Sequence, residues 1–270
     1  MTAPEHSGGD RVAEPLVSVA WLREHREEVV LLDASIERTG EGFGSGLAAF
    51  TVSHLPGARF ADLFAGFSDA SARFLFTMPA VDALRETARS LGVRDGVHVV
   101  VYDRNGGAWA ARVWWLLRVH GFGTVSVLDG GLAAWTGPIE SGISEISPIS
   151  GELTLHEPGP VTADLAEVSG TPGERLVCAL RKERFDAGHI PGSVSLPYSD
   201  LLSPDGTLDR DLVRTRAAEV ALGADSIVYC GGGINAAGLI LALDAAGLPL
   251  PRLYDGSLNE WRAHRDIASH

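Results

Sequence analysis

The chain has 270 residues, 45% of them hydrophobic and 21% charged, a balance that supports two ordinary domains and leaves little room for extensive disorder. Its net charge of −13 repels polyanions and so argues against nucleic-acid and acidic-membrane binding, whereas a small anionic substrate would need a local cation. Two cysteines and the absence of a long uninterrupted apolar run argue against a disulfide framework and a membrane-spanning helix, and the chain reads as soluble and cytoplasmic.

Residues 1–12 read as a polar tail that lacks the apolar stretch of a secretory signal. Beyond them comes a short apolar strand signal, "VVLLDAS" (Val29 to Ser35), then the loop "HLPGARF" (His54 to Phe60). The next strand signal, "HVVVYD" (His98 to Asp103), leads into the helical pattern "AWAARVWWLLRVHG", with Gly121 as its stop. "VSVLDGGLAAW" (Val125 to Trp135) closes this first half. The stretch from Thr136 to Pro160 is rich in Ser, Gly and Pro without sustained periodicity, which predicts a linker.

After it the same signals return in the same order. They are "RLVCAL" (Arg175 to Leu180), "HIPGSVS" (His189 to Ser195), "SIVYCGGGINAAGLILAL" (Ser226 to Leu243) and "PRLYDGSLNEW" (Pro251 to Trp261). Four ordered matches predict a duplicated domain, with units at 13–137 and 161–270 and the linker at 138–160. Near-continuous apolar strands alternating with helices predict an α/β class, each unit a small parallel sheet flanked by helices. In such sheets chemistry gathers at the carboxyl ends of the strands, where Cys230 falls.

Cys230 is followed by Gly231, Gly232 and Gly233 and then by a helical pattern beginning near Ile234. Three glycines permit a tight turn with positive φ, and the turn plus the helix start can aim several N–H groups at one spot. That environment favours a thiolate, with pKa values of about 3.5 to 7.5 in comparable settings, and so predicts a cysteine nucleophile. A phosphatase loop would need Arg six positions after the Cys, where Ala236 stands. No local signature supports a papain-like Cys–His pair, and one Cys without nearby ligands makes a poor metal site.

On these residues the chain resembles the tandem-domain sulfurtransferases of the rhodanese and 3-mercaptopyruvate type, over most of its length. The resemblance implies a cofactor-independent ping-pong reaction. Cys230 would take a sulfane sulfur from a small anionic donor, thiosulfate or 3-mercaptopyruvate, as a persulfide. Amides of Gly231, Gly232, Gly233, Ile234, Asn235 and Ala236 would cradle it, and a thiol, cyanide or a protein acceptor would remove it. A persulfide carrier without turnover, or a regulatory module, is the alternative.

The resemblance also implies that the first half is catalytically silent, since Asp103 occupies the cysteine position as a turn or capping residue. Arg184, in "KERFDAGHIPG", matches the arginine that holds the donor's anionic group. The loop lacks the Arg–Lys pair of thiosulfate-preferring relatives and is closer to the Gly-Ser-Gly of mercaptopyruvate-preferring ones, but with Gly232 in place of the Ser. With that Ser missing, His54 reads as a structural loop residue instead of a relay base. Cys178 stands where the family usually has Asp; it reads as a buried core thiol, with a regulatory disulfide to Cys230 as the other possibility.

Overall fold

The computed structural model describes residues 12–40, 42–143 and 151–269. Nearly all of the expected polar tail, and 144–150 of the expected linker, lie outside the described residues. The strands of the first half are Leu16–Val17 (β1), Val29–Asp33 (β2), Ile36–Thr39 (β3), Gly42–Ser45 (β4), Arg59–Phe60 (β5), His98–Tyr102 (β6) and Val125–Leu128 (β7). Those of the second half are Thr162–Ala163 (β8), Leu176–Cys178 (β9), Val194–Ser195 (β10), Ile227–Tyr229 (β11) and Arg252–Tyr254 (β12).

Each half builds a five-stranded parallel sheet, ordered β1-β7-β6-β2-β5 in the first and β8-β12-β11-β9-β10 in the second. The orders superimpose strand for strand, and β6 and β11 are the central strands that run into the Asp103 and Cys230 loops. Among the described residues the β3–β4 antiparallel hairpin occurs in the first half alone. A central parallel strand is covered on both faces, which explains why "VVVY" and "IVY" are apolar without alternation.

The duplication extends to individual hydrogen bonds. The hydroxyl of Tyr102 accepts the N–H of Leu55 at 3.0 Å, and that of Tyr229 accepts the N–H of Ile190 at 3.0 Å. His54 Nδ1 bonds the Phe50 carbonyl at 2.8 Å, and His189 Nδ1 bonds the Phe185 carbonyl at 2.9 Å. Both imidazoles stack on their phenylalanines with centroids 4.0 Å apart. In each half, therefore, the His-x-Pro-Gly turn is pinned to the central strand by that strand's tyrosine and to the preceding short helix by its own histidine.

The two halves meet through the helices that follow the central strands, Ala108–Val119 and Ile234–Ala245. Residues from Ala108 to Leu117 are all buried, as are Ile234 and Ala236 to Leu243. A helix packed on its own sheet along one side and on its twin along the other needs an apolar surface nearly all round, and it shows little amphipathic pattern. Gly121, at φ +94°, ends the first of these helices where the sequence predicts the stop. Leu153 and Leu155, on the expected linker, are buried in the same core, and the N–H of His156 pairs with the His120 carbonyl. No helix among the described residues is long and apolar enough to cross a membrane.

Candidate active site

Strand β11 ends at Tyr229, and Cys230 follows it at the carboxyl edge of the sheet, only 2% exposed. Gly233, at φ +81°, is the N-cap of the Ile234–Ala245 helix. An L-residue rarely adopts that angle, and a Cβ there would lie 2.8 Å from Nη1 of Arg112. The glycine run is thus required at Gly233 by both conformation and space.

The second wall is the segment after β12. Ser257 Oγ accepts the N–H groups of Cys230 and Gly233, each at 3.1 Å, and donates to the Tyr254 carbonyl at 2.8 Å. Ser257 itself sits at φ +50°, a left-handed conformation that is held by these three bonds. Beside it, the N–H of Leu258 donates to the Cys230 carbonyl and that of Asn259 to the Gly231 carbonyl, both at 3.0 Å. The loop is therefore clamped from outside as well as turned by its glycines.

This clamp corrects one part of the sequence reading. The amide of Gly233 is committed to Ser257, so Gly233 serves the turn and is not an open donor of the cradle. The N–H groups of Gly231 and Gly232 donate to no protein acceptor among the described residues. Those of Ile234, Asn235 and Ala236 belong to a helical first turn, where N–H groups lack a carbonyl one turn back. Sulfur held at Cys230 meets these remaining donors and the positive end of a 12-residue helix.

The third wall comes from the first half. A Cβ on Gly232 would lie 3.3 Å from the Leu75 carbonyl oxygen and 3.6 Å from Cδ2 of Phe76. Phe76, at φ +67°, is wedged edge-on against Phe64 and Trp109, with centroids 5.1 and 5.2 Å away. Its carbonyl accepts from Arg112 Nη2 at 2.6 Å, and the same nitrogen donates to Asp255 Oδ1 at 2.6 Å. Asp255 Oδ2 in turn accepts the N–H of Met78 at 2.8 Å. One ion pair across the domain interface thus anchors the 75–78 segment over the Cys230 loop.

Sequence reasoning missed Ser257, Asp255, Asn259, Phe76 and Arg112. For Arg112 a signal existed: it is the one charge within "AWAARVWWLL", where an arginine must be paired to be buried. It also sets a cation against Gly233, a charge that the loop itself lacks. Nothing local marks the others, because their roles depend on which segments the fold brings together.

In the first half, Asp103 fills the equivalent position. Its carboxylate accepts the N–H groups of Asn105 and Gly107 at 2.7 and 2.9 Å, and of Trp109 and Ala110 at 3.0 and 2.9 Å. Burial holds its carboxyl above the usual carboxylate range, and the bonds from Ala110, Gly107 and Asn105 offset only part of that rise. The loop turns a side-chain anion inward to use its own donors, and the Tyr198 hydroxyl seals it by donating to the Gly106 carbonyl at 3.0 Å. This is the capping role expected for Asp103. Asp103→Ala leaves four backbone donors without their acceptor and is expected to destabilise the chain by about 2–3 kcal/mol, read as a lower urea midpoint.

The remaining sequence candidates lie apart from this cluster. Arg184 is on the short Lys182–Asp186 helix that follows β9, at the same sheet edge as the Cys230 loop, with its side chain exposed. Cys178 pairs in register with Tyr229, so their side chains share one face of the sheet. It packs in a cluster with Phe185, Tyr229 and Trp261, while Cys230 belongs to the interdomain cluster on the other side. Both cysteines are free, and burial pushes the Cys178 thiol up to about 12. The buried-thiol reading holds, and the sheet separates Cys178 from the Cys230 loop. His54 is buried, stacked and bonded to Phe50, as a structural loop residue is.

Residues 18–138 and 163–264 each match the model of the rhodanese-like domain. A putative thiosulfate sulfurtransferase of Mycobacterium tuberculosis is 37% identical over 237 residues, with 80% of this chain and 82% of that protein covered. The 3-mercaptopyruvate sulfurtransferase of Escherichia coli is 30% identical over 270 residues, covering 93% and 96%. Among solved structures, a 3-mercaptopyruvate sulfotransferase from Escherichia coli superimposes with a TM-score of 0.77 at 27% identity, covering 91% of this chain and 99% of that one. The 3-mercaptopyruvate sulfurtransferase from Leishmania major, at 22% identity, shares the fold with a TM-score of 0.81 over 97% and 76%. A clamped cysteine loop in one half, a self-capped aspartate loop in the other and these matches lead to one conclusion: the chain belongs to the rhodanese-like family, with two such domains in tandem.

Proposed function

We propose that the chain is a sulfurtransferase that moves sulfur from thiosulfate or 3-mercaptopyruvate to a thiol, cyanide or protein acceptor through a persulfide on Cys230. The observation that carries the reading is the Cys230 loop itself: a cysteine at a strand end, faced by open amides and a helix N-terminus, with its backbone clamped by Ser257. The thiolate attacks the donor sulfur. With 3-mercaptopyruvate the C–S bond breaks and its electron pair leaves on carbon, which takes up a proton to give pyruvate. With thiosulfate the S–S bond breaks and the pair leaves as sulfite.

The outer sulfur then carries negative charge, which the amides of Gly231, Gly232, Ile234, Asn235 and Ala236 stabilise without reorganising. An acceptor nucleophile attacks that sulfur, the S–S bond breaks, and its electron pair returns to Cys230. Arg184 receives the donor's carboxylate or sulfonate from the adjoining helix. The loop holds no cation of its own, and its Gly231–Gly233 run supports 3-mercaptopyruvate as the better donor. The reaction takes place in the cytoplasm.

The test is intact-protein mass spectrometry after incubation with each donor, followed by addition of dithiothreitol or cyanide. The expected result is a one-sulfur adduct mapped to Cys230 and discharged by either acceptor. No adduct with either donor overturns the reading, and an adduct that neither acceptor removes replaces it with a persulfide carrier.

A further inference from the structure

Asn259 is held at the mouth of the Cys230 loop with nothing for its carboxamide to do. Its backbone N–H is tied to the Gly231 carbonyl at 3.0 Å, which fixes the residue in the first turn of the Ser257–His264 helix. Its side chain is exposed, and its carboxamide makes no hydrogen bond to the described protein. Yet Nδ2 lies only 3.2 Å from the point a Cβ on Gly232 would occupy. The absent side chain of Gly232 is the space that the carboxamide borders, and the Leu75 carbonyl borders it from the opposite domain at 3.3 Å.

An unpaired amide at an exposed rim beside Gly232, itself two residues after the nucleophile, has the chemistry of a recognition group. It offers two N–H donors and a carbonyl acceptor on a short side chain whose backbone cannot drift. The other two atoms nearest that point are the Leu75 carbonyl oxygen and Cδ2 of Phe76, and Leu75 is 64% exposed. Asn259 is thus the polar side chain that the 257–264 helix brings to Gly232. We infer that Asn259 is a specificity-determining residue, whose carboxamide hydrogen-bonds the anionic end of the sulfur donor as its sulfur meets Cys230. Gly232 is what keeps that position open. The inference rests on the Cys230 persulfide reading and adds a second, uncharged group that recognises the donor alongside Arg184.

The test is steady-state kinetics with 3-mercaptopyruvate as donor and dithiothreitol as acceptor, on the full chain and on Asn259→Ala and Asn259→Asp. Loss of one hydrogen bond to a charged donor predicts a KM about tenfold higher in Asn259→Ala, with kcat nearly unchanged. Asn259→Asp places a carboxylate against an anion, so its KM rises further and falls back toward the Ala value as salt screens the repulsion. Gly232→Ser fills the shared space; its KM defect is expected to be smaller when combined with Asn259→Ala than the two single effects predict. Adduct formation on Cys230 separates the two claims. If the unaltered chain forms no adduct, the persulfide reading fails and this one falls with it. If it forms the adduct and both Asn259 variants keep the unaltered KM, or lose kcat alone together with a lower unfolding midpoint, only the role given to Asn259 is overturned.

Discussion

Cys230→Ser is expected to lower turnover by roughly a thousandfold or more with either donor, and to abolish the one-sulfur adduct, while leaving the unfolding midpoint close to that of the unaltered chain. The substitution keeps the size and backbone of the residue, and its clamp uses the Cys230 N–H and carbonyl, not the thiol. What it removes is the thiolate, because a serine hydroxyl stays protonated and forms no persulfide. Cys178 offers no substitute. Its thiol lies on the opposite side of the sheet, in a buried cluster with Phe185, Tyr229 and Trp261, and burial pushes it up to about 12, so it remains protonated at neutral pH. The matching expectation is that Cys178→Ala retains turnover and the adduct. Turnover kinetics on both variants decide the matter: a Cys230→Ser chain that still turns over at more than a few per cent removes Cys230 from the mechanism. Loss of the adduct in Cys178→Ala would instead move the sulfur site across the sheet.

The parts of this molecule that were legible in the sequence are those written into contiguous residues. The strand–Cys–Gly–helix corner was readable because each feature constrains its neighbour: an apolar run ends, a residue must take φ +81°, and a helix begins. The duplication was readable because four such local signals recur in order, and the identical strand orders show that the recurrence is a repeat of topology. Asp103 was readable as a cap because its partners all lie within seven residues of it. By contrast, Ser257 reaches the loop over an interval of 27 residues, Asp255 meets Arg112 over 143, and Met78 meets Asp255 over 177. A segment's own composition carries no trace of such pairings. The sequence reading therefore assigned Gly233 to the sulfur cradle when its amide was already taken by a serine from the next strand-to-helix connection. The cation near the turn comes from the first half: its apolar surroundings mark Arg112 as a charge that must be paired, but not that Asp255 is the partner.

That cation carries the second large effect. Arg112 is 0% exposed and Asp255 17%, and their contact crosses the domain interface. Breaking a buried pair from one side leaves the other charge without compensation, a cost of about 3–5 kcal/mol. Asp255→Ala is the more damaging variant. It strands a fully enclosed guanidinium whose Nε and Nη1 already have no hydrogen-bond partner, leaving it the Phe76 carbonyl and the Trp115 ring at 4.9 Å. Arg112→Met leaves only a partly exposed carboxylate that still accepts the Met78 N–H, so its cost is smaller. Replacing both, as Arg112→Met with Asp255→Leu, removes the charges together and is expected to recover most of the stability lost by Asp255→Ala. Urea unfolding followed by tryptophan fluorescence measures the three variants. Activity gives an independent readout, because the Arg112–Asp255 pair fixes Phe76 and Met78 above Gly232. With that anchor gone the 75–78 segment no longer shapes the donor site, so KM rises in the doubly substituted chain even where stability returns. A double variant that is stable and has the KM of the unaltered chain would show that the pair holds the domains together without shaping the site. Recovered stability with a raised KM would show that the first domain, through one arginine, forms part of the active site of the second.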